Sequence, residues 1–241
     1  MKSKNFWILV FLIFLFFRGL YGGIGIGFNG DVGYNIFDAI PKGGGESFKE
    51  PLKMRGLGYG GGGVVSFLFS PFVEMKIGFG FYRRTYKFER DIKGNYEYVE
   101  GWFNNFVFPI SFYLRFVPEE RFAEYIPYIG VGGMVSHEVE GFWNYKVMNS
   151  AYPDTYNLYS DLKSTDSLDT DFFVKLCIGV ETITDNPYKW FFEISWEYNT
   201  TPSHKVFFYR EVTEKFIREE IYNFRLNIGL IYRFDWEEWA Y

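Results

Sequence analysis

Nine charged side chains recur at every second position within otherwise apolar stretches of the sequence, a spacing that can gather charges on one face. An isolated charge in a confined interior is costly because it loses its hydration, so we expect these side chains to form ion pairs. Four are acids and five are bases: Glu74, Lys76, Arg115, Lys175, Glu181, Glu193, Glu197, Arg225 and Arg233.

Catalytic and metal-binding chemistry has little support in the sequence. Ser136 and His137 precede an acidic segment, but neighbouring residues of a strand point to opposite faces, which separates a nucleophile from its base. The acids lack the spacing of a calcium loop. Cys177 is the only cysteine, so no disulfide can form within the chain, and we interpret it as a packing residue. We therefore predict no catalytic residue, no metal, no cofactor and no enzyme activity.

Eight stretches alternate large apolar residues with glycine, small or charged residues. A period of two is typical of a strand with one apolar face. The last stretch is the clearest, with large apolar residues at every even position from Tyr222 to Phe234. Pro109 falls inside the fourth, where we expect a bulge or kink. The predicted strands span about 23–36, 56–69, 72–85, 102–116, 125–136, 171–183, 189–200 and 221–234.

The connections between these strands alternate between long and short. Outer membrane barrels have short periplasmic turns and long external loops, so the pattern predicts such a barrel with both ends on the short-turn side. We expect the strands flanking 201–220 to continue beyond the membrane, with a short helix at 211–219 as the alternative. The predicted long connections are 37–55, 85–101, 137–170 and 201–220, and the short ones are 70–71, 117–124 and 184–188. Glu193 and Arg233 then lie near the short-turn ends of neighbouring strands, so we expect them to form a cross-strand pair.

The bulky residues must face outward. One face of a strand carries up to seven of them, and the interior of an eight-stranded barrel has room only for the side chains that fill it. A soluble ligand-binding barrel would need them inside. We therefore predict an all-β fold, an eight-stranded antiparallel up-and-down transmembrane β-barrel, preceded by a signal peptide.

The N-terminal segment has the features of a secretion signal. Lys2 and Lys4 precede an apolar run from Phe6 to Phe17, which is too short to span a bilayer as a helix. We assign 1–22 to the signal peptide, 23–234 to the barrel and 235–241 to a short tail. Without 1–22 the chain has 22 basic and 30 acidic residues, a net charge of -8, which argues against nucleic acid as a partner.

Three segments carry a family resemblance: Asn105–Phe116 (NFVFPISFYLRF), Pro127–Ser136 (PYIGVGGMVS) and Asn223–Phe234 (NFRLNIGLIYRF). With them, residues 23–234 resemble the small bacterial outer membrane β-barrel superfamily of the OmpA transmembrane domain and OmpX. The resemblance implies the bacterial outer membrane as location, its lipid as a partner, and a barrel-assembly machinery that reads a terminal aromatic residue. Seven residues follow Phe234, so either Phe234 or Tyr241 supplies that signal.

Two functions compete. In the first, ion pairs close the lumen, and the barrel has a structural or surface-interaction role as a monomer. In the second, inward glycines such as Gly58, Gly60, Gly78 and Gly80 leave a narrow channel for small solutes. A lipid-modifying enzyme is the least favoured alternative. An external ligand or protein would meet the aromatic residues of the longest loop: Phe142, Trp143, Tyr145, Tyr152, Tyr156 and Tyr159.

Overall fold

The computed structural model describes residues 23–42, 52–92, 95–118, 124–149, 152–162, 170–184, 186–201, 205–209 and 213–234. The predicted signal peptide at 1–22 and the tail at 235–241 lie outside these ranges. Within them no helix is long and apolar enough to cross a membrane. The strands are β1 (Ile24–Lys42), β2 (Leu52–Ser70), β3 (Val73–Ile92), β4 (Asn95–Arg115), β5 (Tyr125–Asn149), β6 (Tyr152–Leu162), β7 (Thr170–Thr182), β8 (Tyr188–Asn199), β9 (Lys205–Tyr209) and β10 (Thr213–Arg233).

Eight of the strands form a closed ring in the order β1, β2, β3, β4, β5, β7, β8 and β10. Every pairing is antiparallel, and β1 closes the ring by pairing with β10 from Gly25 opposite Arg233 to Lys42 opposite Lys215. Closure leaves no unpaired edge within the wall, so the backbone groups are satisfied without water. The prediction of an eight-stranded up-and-down barrel is confirmed.

The remaining strands extend the wall on the side of the long connections, which we call the long-loop end. β6 continues the line of β7 and pairs with the far part of β5, while β9 continues the line of β8 and pairs with the far part of β10. The interpretation of 137–170 as a loop is therefore wrong for 137–149 and 152–162. The helix alternative is also wrong, because residues 213–219 belong to β10.

Two other predicted loops are also mostly strand. β1 reaches Lys42 and β2 begins at Leu52, while β3 and β4 pair as far as Ile92 opposite Asn95. The hairpins continue because paired strands satisfy each other's backbone hydrogen bonds outside the bilayer as well as within it.

Pro109 interrupts the β3–β4 ladder without shifting it. Ile77 pairs with Ile110 and Gly80 with Val107, so the register is the same on both sides of the proline. The expected bulge is absent there, since the missing N–H interrupts the ladder at two residue pairs and no extra residue is inserted. The register shift in β4 lies instead between Asn104 and Asn105, in its pairing with β5.

The wall has two faces, and they alternate strictly along β8, where exposed and buried residues follow one another from Tyr188. Ile194 is 49% exposed on the outside, whereas Glu193 next to it is 1% exposed on the inside. Along β8 the wall thus encloses charged side chains and exposes apolar ones.

Candidate functional site in the barrel lumen

The lumen at the short-turn end is filled by a cluster of two acids and two arginines, which we call the short-turn cluster: Glu74, Arg115, Glu181 and Arg233. The guanidinium of Arg233 donates to Glu74 Oε1 at 3.0 Å and to Glu181 Oε2 at 2.8 Å. Arg115 donates to Glu181 Oε1 at 2.8 Å. These side chains come from β3, β4, β7 and β10, so their contacts cross the lumen and close it.

Lys76 lies beside this cluster in an aromatic cage. Its Nζ is 4.7 Å, 4.9 Å and 4.4 Å from the ring centres of Tyr113, Tyr128 and Phe191. Aromatic faces attract a cation, and the attraction is stronger where water is excluded. The nearest carboxylate oxygen, Glu74 Oε2, is 3.9 Å away.

One ion pair of the central lumen differs from the prediction. Lys175 Nζ donates to Glu193 Oε1 at 2.6 Å. We expected Glu193 to pair with Arg233, because both lie near the short-turn ends of neighbouring strands. That pair is wrong, since Asn227, six residues from Arg233, is opposite Glu193 in the register.

The long-loop half of the lumen is organised around Arg225. Its Nε is 3.0 Å from Glu197 Oε2, and its Nη1 is 3.6 Å from Asp31 Oδ1. The guanidinium carbon lies 3.7 Å from the ring centre of Tyr82, so the plane of the arginine stacks on the ring. Further out, Arg84 donates to Ser136 Oγ at 3.1 Å and lies 3.9 Å from Asp171.

The structure thus places all nine sequence-predicted charges inside, each no more than 7% exposed. The sequence analysis did not select several further lumen residues, although the period of two that identifies most of them is present in the sequence. Asp31, Tyr82 and Arg84 occupy the same alternate positions as the residues it selected, on the first and third strands. Asp171 is the second residue of β7 and lies opposite Ser136.

Acidic and basic side chains are equal in number in the described lumen. They can therefore pair, which lowers the cost of burying them within an apolar surrounding. Seven acids face seven bases. The acids are Asp31, Glu74, Glu138, Asp171, Glu181, Glu193 and Glu197, and the bases are Lys76, Arg84, Arg115, Lys175, Lys189, Arg225 and Arg233.

The inward glycines accommodate large inward side chains of neighbouring strands. A Cβ at Gly58 would lie 2.5 Å from Tyr82 Oη, and one at Gly130 would lie 2.7 Å from the Tyr113 ring. A Cβ at Gly78 would lie 2.7 Å from Pro109 Cγ. These glycines leave room for side chains of the wall itself, which fill the interior at close range.

Two small cavities lie in series along the filled lumen, each of about 40 Å³. Both touch Asn29, Gly78, Pro109, Lys175 and Asn227, so these residues separate one cavity from the other. A cavity needs only about 10–15 Å³ to hold one water molecule, so each has room for a few waters or a small ion.

The predicted recognition residues lie on the strand extensions. Trp143 and Tyr145 belong to β5, and Tyr152, Tyr156 and Tyr159 belong to β6, with side chains outside the described set. Phe142 pairs with Trp102 of β4, and their rings stack at 6.2 Å.

The alternative chemistry finds no assembled site in the described residues. Ser136 is buried, whereas His137 on the opposite face contacts Thr170 Oγ1 at 2.9 Å. In this part of the chain no group of three or more His, Cys, Asp or Glu side chains is placed to hold a metal. Cys177 is buried against Tyr113 and Tyr128.

Aromatic side chains form two girdles around the outside of the wall. At the short-turn end Tyr188 packs on Tyr232 at 5.2 Å, and at the other end Tyr198 packs on Tyr222 at 5.3 Å. The part of β8 between Tyr188 and Tyr198 matches the roughly 9–11 residues that a tilted strand needs to cross a bilayer. Exposed apolar side chains such as Ile194 and Ile228 fill the band between the girdles.

A closed ring of strands with an apolar band, two aromatic girdles and a polar interior defines an outer membrane β-barrel. The chain is therefore an integral barrel of this class, in contact with lipid, and its location is the bacterial outer membrane.

Among known proteins, solved structures match this chain at low sequence identity. No protein-family model and no curated protein matches the sequence. Neisserial surface protein A is 13% identical over 86% of this chain and 97% of its own, with a TM-score of 0.41. Outer membrane protein AlkL, determined in lipid bilayers, is 13% identical over 88% and 90%, with a TM-score of 0.46. OprG from Pseudomonas aeruginosa is 10% identical over 88% and 96%, with a TM-score of 0.43.

Proposed function

We propose that this protein is a sealed outer membrane barrel with a structural or surface-interaction role, which it performs through its long-loop end. The observation that carries the proposal is the filled lumen. Ion pairs of 2.6–3.0 Å fill it at the levels of Arg233, Lys175 and Arg225. The Arg233 pair crosses the lumen, the Lys175 and Arg225 pairs join neighbouring strands, and Arg225 also stacks on Tyr82 three strands away. The two cavities at these levels are about 40 Å³ each and are separated by residues that include Lys175 and Asn227. An interior filled in this way leaves the external strands as the part free to meet a partner.

The strand extensions suit recognition. Residues 137–170 carry six acids and two bases together with six large aromatic residues, and aromatic side chains often dominate interfaces. In the described residues β6 pairs only with β5, and β9 only with β10, so each leaves an edge that an extended peptide could join. We propose an extracellular ligand or protein as the partner at this end. We also propose that the chain interacts with the barrel-assembly machinery and that the barrel is a monomer.

A narrow channel for small solutes is the second candidate. Two cavities in series favour it, because rearrangement of the residues between them would join the cavities. The third, a lipid-modifying enzyme, has no observation in its favour beyond the presence of Ser136 and His137.

Planar-bilayer conductance of the refolded protein separates the first two candidates. A sealed barrel shows no stable open level, and Arg225→Met and Glu197→Gln do not create one. A stable open level in the parent protein, changed by either substitution, would establish the channel instead. Loss of a lipid-modifying activity on substitution of His137 would support the enzyme.

A further inference from the structure

Five bases and three acids of the described residues line the short-turn half of the lumen, and one of the bases, Lys189, donates to the Thr184 carbonyl oxygen at 2.7 Å. Arg115 pairs with Glu181, Arg233 with Glu74, and Lys175 with Glu193. Lys76 remains. It is 5% exposed, and its Nζ makes no hydrogen bond among the described residues.

The aromatic cage stabilises the charge of Lys76 only in part. The rings of Tyr113, Tyr128 and Phe191 attract the ammonium group by their faces. Glu74 Oε2 lies 3.9 Å away, beyond hydrogen-bond distance, and the other oxygen of Glu74 accepts from both Ser66 and Arg233. A buried ammonium group with no acceptor is unfavourable, so an acceptor with negative charge would stabilise it most.

The space for such an acceptor is present. Lys76 lines a cavity of about 40 Å³, whose wall also includes Ser111, Tyr113, Lys175, Glu193 and Asn227. Two of these residues are cationic and one is anionic, so the lining has a net charge of one positive unit. Ser111 and Asn227 can both turn a donor toward a guest, whereas the Tyr113 hydroxyl is hydrogen-bonded to Glu193.

We propose that this cavity binds one small monovalent anion of halide size, held by Lys76 and Lys175. A water molecule would satisfy the donors but would add no negative charge beside Lys76, whose nearest carboxylate oxygen is 3.9 Å away. The volume excludes solutes the size of a sugar or an amino acid. The adjoining cavity provides the approach from the long-loop end, since the two share Lys175 and Asn227 and the short-turn cluster closes the other side.

Bromide is a direct probe of the site, because it scatters anomalously and replaces chloride. Crystals of the wild-type barrel grown with sodium bromide should show an anomalous peak within hydrogen-bond distance of Lys76 Nζ. Absence of a peak at this cavity, at bromide concentrations that label other sites, would overturn the proposal. This result needs no variant and does not depend on whether the lumen conducts.

A solution test uses linkage, since a ligand that binds only the folded state stabilises it in proportion to the logarithm of its concentration above Kd. The urea midpoint of the wild-type barrel should rise as chloride replaces gluconate at constant ionic strength. Lys76→Met keeps the stem within the aromatic cage but removes the charge, and it should abolish this dependence. Lys87→Met, at an exposed outward position, should retain it. Equal chloride dependence in wild type and Lys76→Met would contradict the proposal.

Discussion

The lumen side and the lipid side of the barrel wall belong to the same strands, but one buries charged side chains and the other exposes apolar ones. On the lumen side, arginines such as Arg233 and Arg225 are buried among carboxylates or stacked on a ring. On the lipid side, apolar residues such as Ile194 and Phe28 are exposed without any specific partner. The inner face therefore depends on particular partners, whereas the outer face depends on depth in the bilayer. Matched substitutions on the two faces test this distinction.

The largest effect is expected from Arg233→Met. The substitution leaves Glu74 and Glu181 buried with one fewer base each, and removal of one partner from a buried ion pair costs about 3–5 kcal/mol. Reversible urea unfolding in lipid vesicles measures the free energy of unfolding. The control is Arg83→Met on the outer face, where the guanidinium carbon lies 4.1 Å from the Trp102 ring centre, and about 1 kcal/mol or less should be lost. Equal losses would mean that the lumen pairs do not hold the barrel together.

The second effect concerns depth on the outer face. Ile194→Arg places a charge midway between the girdles and should lower the free energy of unfolding by about 2–4 kcal/mol in the same assay. Tyr188→Arg, at the short-turn girdle, should cost about 0–1 kcal/mol. A soluble barrel would show no such dependence on depth, so similar values at the two positions would contradict the lipid-facing assignment.

The third effect compares two glycines of β2. A Cβ at Gly58 would lie 2.5 Å from Tyr82 Oη and 2.7 Å from the Arg83 carbonyl oxygen, so Gly58→Ala should destabilise by about 1–3 kcal/mol through overpacking. On the outer face, a Cβ at Gly63 would have no neighbour nearer than 3.9 Å, and Gly63→Ala should be neutral or slightly stabilising. If Gly58→Ala were as well tolerated, Tyr82 would have room to move and the lumen would be looser than described.

The period of two in the sequence was enough to assign faces. It placed all nine selected charges inside, because a strand cannot turn a side chain to the other face without a register slip. It did not identify partners, because these depend on the stagger of strands around the barrel. For that reason Glu193 was assigned to Arg233 rather than to Lys175.

The extent of the strands was also beyond the sequence analysis. Beyond the bilayer, Tyr86 and Phe88 of β3 still alternate with charged residues, but the outer face no longer needs to be uniformly apolar. The contrast between faces that marks a membrane strand therefore weakens where the strand leaves the membrane. For this reason the sequence analysis missed β6 and left open whether the segment that contains β9 is strand or helix.

The contrast between a filled lumen and a lipid-facing exterior can be measured most directly by a nitroxide scan along β8. Single cysteines at 190–197 in a Cys177→Ser background are spin-labelled in the unfolded chain, which is then refolded into vesicles. Collisions of the label with oxygen and with a water-soluble nickel chelate are measured. We predict high oxygen access at the even positions, from Trp190 to Trp196, and low access to both reagents at the odd positions, from Phe191 to Glu197. Strong nickel access at the odd positions would show a water-filled pore, and loss of the period of two would contradict the barrel wall itself.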